Sequence, residues 1–161
     1  MPILNREKAA RSLRKNQGLF AMLLTDVTAS DSVSLRDGGD GWNAVEIMCH
    51  LADFESIFFD RARKMLVEDN PRFPKVDQLE LVETNRYAEQ ELEATWRRWS
   101  REREAFIDWL EGLDDEALAR PGIHPETGYM TILQLAINTV LHDIDHMEQL
   151  GRVLGRGVRA P

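Results

Sequence analysis

Apolar residues recur every three to four positions through most of this chain, the period of a helix with one buried face, and no stretch alternates convincingly as a strand. The first such segment runs from about Asn5 to Thr28, with Leu13, Phe20, Leu23, Leu24 and Val27 on its apolar side. A glycine-rich stretch, Asp37 to Gly41, then breaks the pattern. The second segment starts near Asn43, which forms a capping-box signature with Glu46, and continues to about Glu68, before Asn70-Pro71 and Pro74. A third covers about Glu83 to Leu110, with Leu92, Trp96, Trp99, Phe106 and Leu110 on one face. After a short helical turn expected at Asp114 to Ala119, Pro121, Gly122 and Pro125 lie in the next connection. The fourth segment opens at Thr131, paired with Gln134 as another capping box, and runs to about Leu154, where Gly155 and Gly157 stop it.

Four helices of this size, each roughly 35–40 Å long, bury their stripes only by packing together, so the expected fold is an all-α four-helix bundle. The stretch from Asp69 to Val82 spans roughly 40 Å when extended, long enough to make the second and third helices parallel, but spacing alone does not choose the topology. A length of 161 residues suits one domain, 1–161, and the 43% hydrophobic and 30% charged content is that of a globular chain rather than a disordered one. The net charge of -8 argues against a nucleic-acid partner, which demands a basic face. No run approaches the roughly 20 apolar residues of a membrane span. Met1 to Gln17 has no apolar signal region, and a single cysteine, Cys49, fits a reducing compartment; the expected location is the cytoplasm.

The candidate chemistry lies in the histidines. His142 and His146 stand four apart in the fourth helix, on one face at the edge of the stripe formed by Leu135, Leu150 and Val153. Imidazoles so placed can converge on one ion at about 2.0–2.1 Å each. His50 lies in the second helix on the shoulder of the stripe of Ile47, Leu51, Phe54, Ile57 and Phe58. Three imidazoles leave at least one coordination position open, the pattern of a catalytic site, and suit zinc, nickel, copper or iron. A His-x3-His pair can equally be packed core or surface histidines, and His50 on a matching face tips the balance toward metal.

Charged groups interrupt the same stripes. Glu55 and Asp143 fall inside apolar faces, where an unpaired charge is costly, and Arg103 interrupts the third helix between Trp99 and Phe106. Either Arg103 pairs with one or both carboxylates in the interior, or a carboxylate orients a ligand histidine through its second ring nitrogen. His124, before a proline, reads as a loop or capping residue, with a mobile fourth ligand as the alternative. Cys49 projects about 100° away from His50, which removes it from that site. The tryptophans 96, 99 and 109 read as core or dimer-interface residues. The loop from Asp31 to Gly41 is expected to cover the histidine-bearing end of the bundle.

The run from Gly41-Trp42-Asn43 through His50 to Glu55 resembles the second-helix signature of the DinB/YfiT-like superfamily. The stretch from His124-Pro125 through Thr131 and His142-Asp143 to His146-Met147-Glu148-Gln149 resembles that family's last helix and its approach, and Arg103 stands where the family often has an arginine. The resemblance spans nearly the whole chain in order and spacing. It implies an up-down-down-up bundle, often a homodimer, with His50, His142 and His146 as ligands of one divalent metal, usually zinc or nickel. It further implies a metal-dependent enzyme acting on a small molecule: a thiol S-transferase with a low-molecular-weight thiol as cosubstrate, or a hydrolase. No protein acid or base stands out as catalytic. His142-Asp143-x-x-His146 also echoes the zincin motif, but aspartate replaces the general base and no sheet is evident. The rival reading is a non-catalytic metal-binding or protein-interaction bundle.

Overall fold

Three of the four long helices begin where a side chain answers a free backbone N–H group of the first turn. In the computed structural model, which describes residues 4–157, the Asn5 side chain accepts from Lys8 N and starts α1 (Arg6–Leu24). The expected capping boxes are both present, Asn43 with Glu46 opening α3 (Ala44–Val67) and Thr131 with Gln134 opening α7 (Ile132–Val153). Residues 1–3 and 158–161 of the expected 1–161 unit lie outside the described residues.

Two expected helices are shorter than their periodicity. The first ends at Leu24 rather than Thr28, because Asp26 turns left-handed and the Thr28 side chain accepts from Asp31 N to open a new helix, α2 (Ala29–Ser34). The third does not begin at Glu83. Asp77 caps a separate α4 (Gln78–Thr84), Arg86 is left-handed, and a single turn at Tyr87–Glu89 precedes α5 (Leu92–Glu111). The break carries Tyr87 into the core, where its hydroxyl donates to buried Asp53 at 2.7 Å.

After α6 (Asp115–Leu118) comes a feature that the hydropathy pattern did not predict, an antiparallel hairpin of β1 (Pro121–His124) and β2 (Gly128–Thr131). Its strands are too short and too rich in proline and glycine to alternate visibly. The 69–77 connection fastens onto β1, with Phe73 N donating to Ile123 O and Ile123 N donating to Pro71 O. Gly122 permits this, since a Cβ there would lie 2.8 Å from Met65 Cγ and 2.9 Å from the Phe73 ring.

The core gives the helix directions. One apolar cluster joins Ala9 and Leu13 of α1, Phe58 and Met65 of α3, Phe106 and Leu110 of α5, and Leu135 of α7. A second joins Phe20, Ile47, Leu51, Trp99, Leu150 and Val153. The late part of α1 therefore meets the early parts of α3 and α5 and the late part of α7, so the helices run up, down, down, up. The long connection makes α3 and α5 parallel neighbours.

Between the clusters lies a polar layer with one residue from each long helix. Arg103, with no exposed surface, donates from Nε and Nη2 to Glu55 at 2.8 and 2.6 Å, and from Nη1 and Nη2 to Asp143 at 2.7 and 2.9 Å. Asn16 Nδ2 donates to the same Asp143 at 3.0 Å. Burial works against the guanidinium charge, but Glu55 and Asp143 outweigh it and hold Arg103 more firmly protonated than usual. Burial likewise pushes the Glu55 carboxyl up, opposed by Arg103. The paired, fork-like contacts are those of an ionised carboxylate.

Candidate metal centre

Beside the polar layer, α3 and α7 bring the histidines together. His50 is 4% exposed, and His142 and His146, one turn apart on α7, face it. His50 Nε2 lies 3.0 Å from His142 Nε2, and all three residues offer a ring nitrogen within 4.8 Å of the others. Two nitrogens bound to one ion at about 2.0–2.1 Å stand roughly 2.9–3.4 Å apart at octahedral to tetrahedral angles, so the 3.0 Å separation fits a shared ion.

Burial also sets the chemistry of the donors. It lowers the His50 imidazole to about 2, reinforced by His146 and His142, and His142 to about 3, reinforced by His146 and Arg103. His146 is lowered by burial too. Neutral imidazoles with free lone pairs are what a borderline transition-metal ion requires. Aromatic rings wall the cluster. Trp42 packs 5.1 Å from His50 between ring centroids, and Phe54 lies 4.4 Å from His50 and 5.3 Å from His142.

The remaining ring nitrogens show which residues orient the imidazoles, and here the sequence reading was incomplete. Gln149 Oε1 lies 2.8 Å from His146 Nδ1, and the Gln78 amide nitrogen, a donor in this orientation, lies 3.3 Å from His50 Nδ1; turning that amide over would present its oxygen instead. Gln149 in turn donates to Asp37 at 3.3 Å, and Arg152 pairs with Asp37 at 3.1 Å. The expected covering loop is therefore tied to the histidine-bearing end through Asp37. Glu55 and Asp143 spend their oxygens on Arg103 and Asn16 instead, and neither bonds a ring nitrogen. The i+3 spacing of Gln149 after His146 was a usable signal. Gln78 arrives from another element and left none.

The other singled-out residues stand apart. His124 Nδ1 accepts from Glu126 N and Thr127 N, both at 3.3 Å, which makes it a turn-capping residue. Cys49 is fully buried against Thr95, and burial pushes its thiol up to about 11. Trp99 is core, Trp96 packs partly buried against it, and Trp109 packs partly buried against Phe59 and Phe106 of the other cluster.

Against known proteins, residues 12–150 match the DinB superfamily, and the chain belongs to that family. Its fold is similar to that of YfiT from Bacillus subtilis, described as a probable metal-dependent hydrolase with an unusual four-helix bundle topology. The TM-score is 0.82 at 19% identity, over 93% of this chain and 87% of that one. An uncharacterized protein from Clostridium difficile 630 is also similar, with a TM-score of 0.70 at 13% identity over 94% and 96% of the two chains. No curated protein matches. No described helix is long and apolar enough to cross a membrane.

Proposed function

We propose that this protein is a metal-dependent enzyme that holds one divalent transition-metal ion, zinc or nickel, through His50, His142 and His146. The observation that carries this is the convergence of three neutral, buried imidazole nitrogens from two helices. When bound, the ion supplies Lewis-acid chemistry, lowering the pKa of a thiol or a water molecule in its open position. Gln149 accepts the Nδ1 proton of His146, which leaves the Nε2 lone pair of that ring facing the cluster. Trp42 and Phe54 exclude bulk water around His50. The Arg103 layer holds Asp143, and with it the helical turn that carries His142.

The description of YfiT as a probable metal-dependent hydrolase favours hydrolysis, here proposed to act on a small molecule. Thiol S-transfer with a low-molecular-weight cosubstrate is the second reading, supported by the family resemblance. A homodimer is part of the proposal, supported by exposed apolar side chains on the adjacent α1 and α7, including Met22 and Leu141. Elemental analysis of the gently purified protein should find about one zinc or nickel per chain, and His50→Ala and His142→Ala should each lose it. Wild-type protein that stays metal-free in a modest excess of either ion would leave only the interaction-bundle reading.

A further inference from the structure

Beyond the histidines, a groove of about 690 Å³ runs beside α3, walled by the segment entering α4 and by the hairpin tip. Phe54 and Gln78 line it, and these two residues also touch His50, so the groove and the histidine cluster share a border. Two turns further along α3, Arg61 lines the same groove, as does His124 from the end of β1.

Arg61 is only 6% exposed, yet no carboxylate among the described residues lies within ion-pair distance of it. Its Nη2 donates to Pro74 O at 3.0 Å and its guanidinium sits 5.4 Å from the centre of the Phe73 ring. The other N–H groups have no acceptor among the described residues. The acids of the groove are engaged elsewhere: Asp77 caps α4, and Glu126 pairs with Lys75 at 3.4 Å. His124 accepts two backbone N–H groups at Nδ1, so as a neutral ring it carries its proton on Nε2 and adds a second donor. Burial acts against the Arg61 charge and only the more distant field of Glu126 supports it, so its free guanidinium edge is open to match the two oxygens of a carboxylate.

We propose that this groove seats a small molecule by a carboxylate held on Arg61 and the Nε2–H of His124. Its apolar part lies over Phe54 and its other end reaches toward the histidine cluster. Asp77 and Glu126 on the walls disfavour a dianion such as a phosphate monoester. From the eleven-residue separation of His50 and Arg61, less the backward lean of the arginine side chain, such a molecule spans on the order of 10 Å. The inference rests on the metal-enzyme reading only for which end reacts.

The test is calorimetric titration of the purified full-length protein with 4-phenylbutyrate, its neutral amide and 3-phenylpropyl phosphate. The acid should bind about tenfold more tightly than the amide, as one charge-assisted contact warrants. Arg61→Gln should bring that ratio close to one with metal content and helicity unchanged, while Arg63→Gln, at an exposed arginine outside the groove, should leave it intact. Equal affinity for acid and amide, a ratio that survives Arg61→Gln, or a preference for the phosphate would overturn the proposal. If Arg61→Gln fails to fold, the wild-type Arg61 Nε–H resonance decides, since it must shift with the acid and not with the amide. Metal content on the same samples separates the two readings. Absent metal overturns the proposed function, whereas the acid-to-amide ratio belongs to the groove and is measurable either way.

Discussion

At the scale of single residues, the site depends on which nitrogen of each imidazole is left free. Gln149 contributes no metal-binding atom, but its carbonyl oxygen, 2.8 Å from His146 Nδ1, favours the tautomer with Nε2 unprotonated. Partners of this kind are typically worth about 10- to 100-fold in metal affinity. Gln149→Leu should therefore weaken zinc binding by about that factor in a chelator competition, with Gln149→Glu retaining most of it. Unchanged affinity in Gln149→Leu would show that packing alone orients the ring. Cys49 illustrates the opposite case. Sequence projection already separated it from His50, and its burial against Thr95 leaves it a core residue.

At the scale of elements, helix ends were readable where one side chain answers one backbone group, as at Asn43 and Thr131. They were misread where a helix is interrupted for the sake of a distant partner. The turn at Tyr87 exists because Asp53, far away in sequence, accepts from its hydroxyl, from Asn85 and from Arg98 at 2.7, 2.8 and 2.9 Å. The hairpin has a similar origin, as its first strand joins the 69–77 connection beside a glycine without room for a side chain. Gly122→Ala should force Met65 or Phe73 to move and cost about 1–3 kcal/mol in denaturant unfolding. A stability matching wild type would mean that the hairpin yields instead.

For the molecule as a whole, two features bear on stability. Arg103 pairs with two carboxylates from separate helices at the level where the two apolar clusters meet. Arg103→Met should cost about 3–5 kcal/mol, because it leaves Glu55 and Asp143 buried without a counter-ion. Adding Glu55→Leu and Asp143→Leu should recover much of that in chemical denaturation, and a single variant as stable as wild type would contradict the account. The second feature is pH dependence without metal. His50 and His142 are lowered from 6.5 to about 2 and 3, so on acidification the unfolded chain takes up their protons before the native one does. Their contribution to stability is fully present above about pH 6.5 and is lost as pH falls toward 3. Between those limits the metal-free wild type should lose up to about 1.4 kcal/mol more per pH unit than metal-free His50→Ala. Parallel stability curves would show that His50 is not held neutral.

Taken alone, the amino-acid sequence determined that four long helices form, the caps of the second and fourth, and the faces on which His50, His142 and His146 stand. It did so because period and capping are short-range properties, decided within a few residues of each position. It also marked Glu55, Arg103 and Asp143 as charges out of place on apolar stripes and offered Arg103 as the partner of one or both carboxylates. The tertiary structure decided that Arg103 holds both carboxylates, that Gln78 and Gln149 support the histidine rings, and that a hairpin and an unpaired Arg61 border the site. Those outcomes depend on which helix lies beside which. An apolar stripe records that a face is buried, but the surface it is buried against emerges only when all four helices pack at once.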